Sequence, residues 1–293
     1  MTQHPRISVV MSVFNGEKYL REAMESILNQ SYSDFELIII NDASIDSSSA
    51  IISSYDDPRI VIVNNETNLG LTRSLNKGIG LSKGEFIARM DADDISQPKR
   101  FEKQVAFLDE NQDISLCGTQ IKEMRTVEQV SNYPLTHSEI KFDLLYYDPF
   151  AHPTVMWRKA DFEKNSFRYN EEYKTAQDYE LWCRVLKKHK AANLNEVLLD
   201  YRIHVNQVSI EKRSEQIETT LKICTNLLRA ICPAYSEDYQ LFDLNKKITR
   251  SSSFYNELIE RLKTLDTIDN INCTQQYYQV DKFSEFIYNQ KKN

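Results

Sequence analysis

No two cysteines of this chain form a C-x-x-C pair. The five, Cys117, Cys183, Cys224, Cys232 and Cys273, are odd in number and scattered, which excludes a disulfide framework or a paired-cysteine zinc site and favours a reducing, cytosolic compartment. No apolar run approaches the roughly 18 uninterrupted residues of a membrane span. The opening MTQHPRISVVMSV lacks a long apolar region followed by a small-residue cleavage site. The expectation is a protein neither secreted by that route nor membrane-spanning. Positive charge is also short: 43 acidic residues against 36 basic ones give a net charge of −7. That balance argues against the phosphate backbone of nucleic acid as partner, so an anionic ligand must be met locally, by a metal or by backbone dipoles. Internal repeats and low-complexity tracts are absent too.

What is present is alternation. Strand-like runs at 7–13, 36–40, 60–63 and 85–90 are each followed by a helical pattern, at 17–29, 46–54, 71–81 and 98–110. Four such units predict a parallel sheet covered on both faces. ISVVMSV and ELIII are apolar throughout rather than alternating, as burial on both faces requires. In such sheets ligands sit beyond the carboxyl ends of the strands, near the point where strand order reverses. That rule selects the polar loops Phe14-Asn15-Gly16, Asn41-Asp42-Ala43-Ser44, 64–70 and 91–96. After residue 113 the spacing predicts strands at 114–121 and 153–157, a helix over 177–189 and a strand over 194–203. From about 211 two amphipathic helical stretches follow, SEQIETTLKICTNLLRAI and SSSFYNELIERLKTL. At 293 residues the chain accommodates a domain of about 200 residues with an appendage.

The fourth of these loops concentrates charge. RMDADDIS places Asp91, Asp93 and Asp94 within four positions, directly behind an apolar strand. Carboxylates gathered this closely repel one another, and a divalent cation removes the conflict. A few hard oxygen ligands with open positions suit Mg²⁺ or Mn²⁺ shared with substrate phosphates. A solvated acidic turn that ends a strand and caps a helix is the competing reading, with Ser96 as N-cap and Pro98 in the first turn. An EF-hand is excluded because its glycine and distal glutamate are missing.

The stretches SVFNGEKYLREAMESILNQSYSDFELIIINDAS, NETNLGLTRSLNKGI and GEFIARMDADD, in that order, resemble the family 2 glycosyltransferases of bacterial polysaccharide and O-antigen synthesis. The resemblance covers about residues 6–205. It implies an α/β GT-A fold, Rossmann-like with a mostly parallel sheet, and an inverting transfer from a nucleotide sugar. It places Val13, Phe14 and Asn15 on the nucleoside and gives Asp42 the imino hydrogen of uracil to accept; an Asx-type cap of the following turn is the other reading of Asp42. Asn68 and Arg73 would line the nucleotide side. Two departures are Ser12, where relatives often have proline, and Ala43, where they usually have glycine. Asp91-Ala92-Asp93 matches the family's Asp-x-Asp motif, with Asp91 toward ribose and metal and Asp93 on the metal.

TAQDYELWCR resembles the family's acidic motif ahead of a Leu-Trp helix and makes Asp178 the general base. Relatives usually have glutamate where this chain has Gln177. An aspartate that merely stabilises the helix start is the alternative. Tyr201-Arg202-Ile203-His204 resembles a segment whose histidine approaches the metal, so His204 is a candidate third ligand. His152, Trp157, Trp182, Tyr146 and Tyr147 read equally as acceptor contacts or as packing.

The domain expectation is a transferase domain over 1–210, with a nucleotide-binding half (1–113) and an acceptor half (114–210), and a helical region over 211–293. The expected partners are a UDP-sugar and a glycan acceptor, lipid-linked by the resemblance, without nucleic acid. Lys222, Arg229, Lys291 and Lys292 would meet an anionic membrane surface at the inner face of the cytoplasmic membrane. Packing on the catalytic domain and a homodimer are the alternatives for these helices. The functional rivals are a nucleotidyltransferase of similar topology, whose glycine-rich, arginine-containing loop is missing after the first strand, and an inactive glycan-binding protein.

Overall fold

A computed structural model describes residues 4–124, 129–145, 147–204 and 207–231. Strands β1 (Ile7–Val13), β2 (Phe35–Asn41), β3 (Ile60–Asn64) and β4 (Phe86–Asp91) pair in parallel, in the order β3-β2-β1-β4. Helices α1 (Leu20–Leu28), α2 (Ser48–Ser53) and α3 (Leu71–Leu81) link them. Strand order reverses between β1 and β4, and the loops behind both open at the same end of the sheet.

The sheet continues beyond β4 with β8 (Met156–Arg158), β6 (Ile114–Met124), β9 (Lys190–Arg202) and β5 (Ile95–Ser96); the short β7 (Gln129–Val130) pairs with β6. Here the pairing is mixed: β8 runs antiparallel to both neighbours, whereas β6 and β9 are parallel. The helices of this half are α4 (Arg100–Glu110), α5 (His137–Asp143), α6 (Lys159–Lys164) and α7 (Gln177–Val185), then α8 (Val208–Glu211) and α9 (Arg213–Ile231).

Alternation along each strand divides the core. Val9, Met11 and Ala88 pack with α1 and α4 on one face, and Val10 and Ile87 pack with α3, α6 and α7 on the other. Gly78 makes the second contact close, because a Cβ there would lie 2.5 Å from Val10 Cγ1. Trp157 and Trp182 belong to this second core, almost entirely buried. Of the roles open for the C-terminal helices, α9 takes the packing one: Ile223 and Cys224 are buried against it, with Tyr179 Oη 3.1 Å from Cys224 Sγ. Lys222 is exposed. Arg229's side chain, Tyr146, Lys291, Lys292 and the second helical stretch lie outside the described residues. Among the described residues no helix is long and apolar enough to cross a membrane.

Two local expectations change. Ser96 is not a helix cap: it pairs with Leu199 in β5, its N–H bonds Ser26 Oγ and its hydroxyl accepts from Gln30, so α4 begins later, at Arg100. The stretch expected as strand from 153 is a 3-10 turn, His152–Thr154, and the strand starts at Met156 because Pro153 cannot donate to a ladder.

Candidate active site

The loop behind β1 is fastened to the loop behind β2. Asn15 takes a left-handed backbone (φ 52°), which asparagine tolerates; its N–H donates to Ser44 Oγ at 3.0 Å while its side-chain oxygen receives Ile45 N–H at 2.9 Å. Gly16 N–H donates to Ser48 Oγ and Glu17 N–H to Asp46. Val13 is buried, and Phe14 is about half exposed at the rim. Ala43 also has a left-handed backbone, φ 59°, so the position where relatives usually carry glycine keeps the backbone that glycine suits.

Asp42 is buried to 2 % exposure and does not cap its own turn; Asn41 does, accepting from Ser44 N–H. The Asp42 carboxylate crosses to the loop behind β3. Oδ1 accepts from Asn65 Nδ2 (2.7 Å) and Leu69 N–H (2.8 Å), and Oδ2 from Gly70 N–H (2.9 Å). Oδ2 thus retains acceptor capacity for one further donor. Gly70 lies at φ 86° and ψ 161°, a region essentially reserved for glycine. Gly70→Ala therefore lowers stability by about 1–3 kcal/mol even though a Cβ meets no atom there; an unchanged denaturation midpoint would contradict this. Asn68 is exposed beside this turn. Arg73 points along the outer side of α3 to Glu171, 3.0 Å away, with more than half its side chain exposed.

Asp91 and Arg89 are two residues apart on β4 and so share a face, where their side chains form an ion pair. Arg89 is 2 % exposed. Burial opposes its charge, but the attraction of Asp91 prevails and raises its pKa. From beneath, the wholly buried Arg100 donates to the Arg89 carbonyl at 2.8 Å and fixes the strand end; burial without a paired carboxylate lowers its pKa to about 9.

The end of β9 clamps the acidic loop. Arg202 N–H donates to Asp94 Oδ1 (2.9 Å), its Nε to the Asp93 carbonyl (2.8 Å) and its guanidinium to Glu22, while the guanidinium lies over the Tyr19 ring. His204 Nε2 lies 2.8 Å from Asp93 Oδ2. Asp91, Asp93 and Asp94 each bring one carboxylate oxygen within 4.8 Å of the others. Burial first, and then repulsion from Asp91, raises the Asp93 pKa; burial with repulsion from both neighbours raises that of Asp94 further. Asp94 Oδ2 is buried with no hydrogen-bond partner. Hard oxygen donors, mutual repulsion that Arg89 offsets only in part, and an orphaned carboxylate oxygen fit a small divalent cation.

Asp178 is the second residue of α7, which begins behind a left-handed Ala176 (φ 52°). Its Oδ1 accepts from Tyr179 N–H, and its Oδ2 lies 3.4 Å from His152 Nδ1. Burial raises its pKa, opposed by Arg89 and reinforced by Asp91. Gln177 is buried beside it.

Residues 8–167 match the glycosyl transferase family 2. The chain belongs to this family. It is 35% identical over 236 residues to an uncharacterized glycosyltransferase of Haemophilus influenzae, covering 76% of this chain and 73% of that protein. It is 38% identical over 207 residues to the Escherichia coli O-antigen biosynthesis glycosyltransferase WbnJ, covering 68% and 80%. The E. coli enzyme WfaP, named UDP-Glc:alpha-D-GlcNAc-diphosphoundecaprenol beta-1,3-glucosyltransferase, is 29% identical over 228 residues, covering 77% and 86%. The fold is similar to that of S. aureus TarS in its complex with UDP-GlcNAc, with a TM-score of 0.63 at 18% identity over 89% of this chain and 80% of that one. The family 2 transferase has the GT-A architecture, and its mixed, mostly parallel sheet is the one described above.

The acidic loop and His204 meet behind β4, and the charges of Arg89 and Asp91 also act on Asp178. Three residues that shape this site have no role in the sequence reading. Arg89 carries a signal, a charge inside the apolar run FIARM, Arg202 lies in the Tyr-Arg-x-His segment, and Tyr169 has no pattern to betray it.

Proposed function

We propose that this transferase moves a hexose from a UDP-sugar to a glycan hydroxyl with inversion, in the building of a bacterial surface polysaccharide. The observation that carries the reading is a division of carboxylates around one buried cation. Arg89 is paired with Asp91 of the acidic loop, while its charge also acts on Asp178. This supports a reading in which the acidic loop serves a cation and diphosphate and Asp178 serves the acceptor.

On this reading Val13, Phe14 and Asn15 border the nucleoside, and the spare acceptor capacity of Asp42 Oδ2 takes the imino hydrogen of uracil. Cytosine has no hydrogen there, which supplies discrimination. Asn68 and the first turn of α3, including Arg73, border the nucleotide side. Asp91 and Asp93, with His204, would hold Mn²⁺ or Mg²⁺. Such an ion supplies Lewis-acid stabilisation of the charge that develops on the departing diphosphate. Asp178 accepts the proton of the attacking hydroxyl. The new bond forms from that oxygen to the anomeric carbon as the bond to the diphosphate breaks, and the bonding pair leaves with UDP. A single displacement of this kind inverts the anomeric centre.

The name of WfaP supports a lipid-diphosphate-linked acceptor, and the exposed Lys222 on α9 would meet the anionic membrane surface that carries it. Incubating the full chain with Mn²⁺ and UDP-glucose, UDP-galactose, UDP-N-acetylglucosamine and GDP-mannose, and following release of the nucleoside diphosphate, tests the reading. Release from a UDP-sugar, suppressed by EDTA, is expected. Neither binding nor turnover with any donor would overturn it.

A further inference from the structure

We infer that His152 is a positioning residue for Asp178, a neutral imidazole held in its Nδ1–H tautomer by Tyr169 and donating to the carboxylate. The catalytic half of this inference rests on Asp178 acting as the base. The structural half does not.

Three side chains form a line through the second core. Tyr169 Oη lies 2.7 Å from His152 Nε2, and His152 Nδ1 lies 3.4 Å from Asp178 Oδ2. The latter distance is at the long end of hydrogen-bond reach. Tyr169 is itself anchored through its backbone, with both its N–H and its carbonyl bonded to the side chain of Asn76 on α3. His152 is fixed by the 3-10 turn that Pro153 continues, and its ring lies edge-on to Trp182, 6.3 Å between centroids.

Two things settle the protonation. His152 and Tyr169 are 9 % and 2 % exposed, and burial lowers the imidazole pKa well below its ordinary value, with the Arg89 guanidinium acting in the same direction. Burial also keeps the Tyr169 phenol protonated. A neutral imidazole has one N–H to give. With that proton on Nε2, its bare Nδ1 would face the Asp178 carboxylate as one acceptor against another. With it on Nδ1, Tyr169 donates to Nε2, Nδ1–H donates to Asp178, and every polar atom in the line is satisfied.

The consequence is an oriented base. Tyr179 N–H holds Oδ1, and on this inference the His152 Nδ1–H facing Oδ2 fixes the carboxylate plane. A cationic donor in this place would depress the carboxylate's basicity, whereas a neutral one orients it with less loss. The groups facing Asp178 are then Arg89 and Asp91 from β4, Asp148 and His152 from the segment before β8, and Tyr133 and Tyr169 from loops. His152 is the one placed against an oxygen of its carboxylate with a proton to give.

Long-range proton–nitrogen correlation spectra of the full chain, labelled with ¹⁵N-histidine, read the tautomer without any substrate. The His152 signals are identified by their loss in His152→Gln. The expected result is neutral His152 protonated at Nδ1, reverting to Nε2–H, the form favoured in water, only when both partners are removed in Tyr169→Phe combined with Asp178→Ala. An Nε2–H or doubly protonated ring in the wild-type chain overturns the inference.

The kinetic test uses nitrogen position. Asn places its amide where Nδ1 stood and Gln does not. With the UDP-sugar panel and Mn²⁺, His152→Gln is expected to lower kcat about 100-fold, the scale of a misplaced catalytic group, with the donor KM and the affinity for UDP unchanged. His152→Asn is expected to recover at least about a tenth of wild-type kcat, a misplacement penalty one decade smaller. Equal losses in both variants, or wild-type kcat in His152→Gln, would mark a packing role and sink the inference. If Asp178→Asn is inactive while His152→Gln is normal, only this inference fails. Ordinary turnover in Asp178→Asn removes the base reading and leaves the tautomer standing.

Discussion

Asp178→Asn is expected to lower turnover by about 10²–10⁴-fold, the usual contribution of a positioned general base, while UDP binding stays as it was. The amide keeps the size of the carboxylate and can still accept the Tyr179 N–H, so the start of α7 survives. What disappears is the ability to accept a proton. Donor binding is spared because the loops proposed for the nucleoside follow β1, β2 and β3, and none of them bonds Asp178. The pH dependence follows from the same group. Asp178 works only when ionised, and burial raises its pKa above the ordinary 3.8. Activity should therefore begin to fall, as pH is lowered, at a higher pH than an exposed aspartate would dictate. An acid limb at the ordinary value, or normal turnover in the variant, would contradict the assignment.

Asp93→Ala is expected to weaken Mn²⁺-dependent UDP binding by more than about 100-fold, since loss even of an outer-shell partner of a metal ligand commonly costs 10–100-fold. The metal-independent part, measured in EDTA, should change little because Asp42 and the β1 loop stay in place. Calorimetric titration of UDP with and without Mn²⁺ separates the two parts. The variant also removes the partner of His204 and one of the two charges that push up the Asp94 pKa. An unchanged metal-dependent affinity would mean that the acidic loop is only a strand ending, the other reading its sequence allowed.

The parallel half of the fold was legible because its signals are local. ISVVMSV and ELIII are buried on both faces, and each is followed by a helix with one apolar side, so period and length decide the element. The carboxyl-end rule then placed the acidic loop without knowledge of any contact. What the sequence hid depends on distant pairing. Ser96 read as a cap since Ser-x-Pro is a helix-start pattern, yet β9, a hundred residues later, claims it as a strand. A cap of its own turn was the other reading the sequence allowed for Asp42, yet its carboxylate holds the turn after β3, because the neighbouring Asn41 performs the local task. Arg89 acquires meaning only when α7 packs over β4 and brings Asp178 toward it. Tyr169 sits in an irregular segment and is placed by Asn76 of α3, a contact that no spacing in the chain announces.

The most direct test of the central claim is the anomeric configuration of the product. Proton NMR of the reaction of the full chain with Mn²⁺ and an α-linked UDP-hexose that it turns over reads the coupling of the new anomeric proton. One displacement assisted by Asp178 predicts a β-linked product. An α-linked product would mean that configuration is retained, which a single displacement of that kind cannot produce.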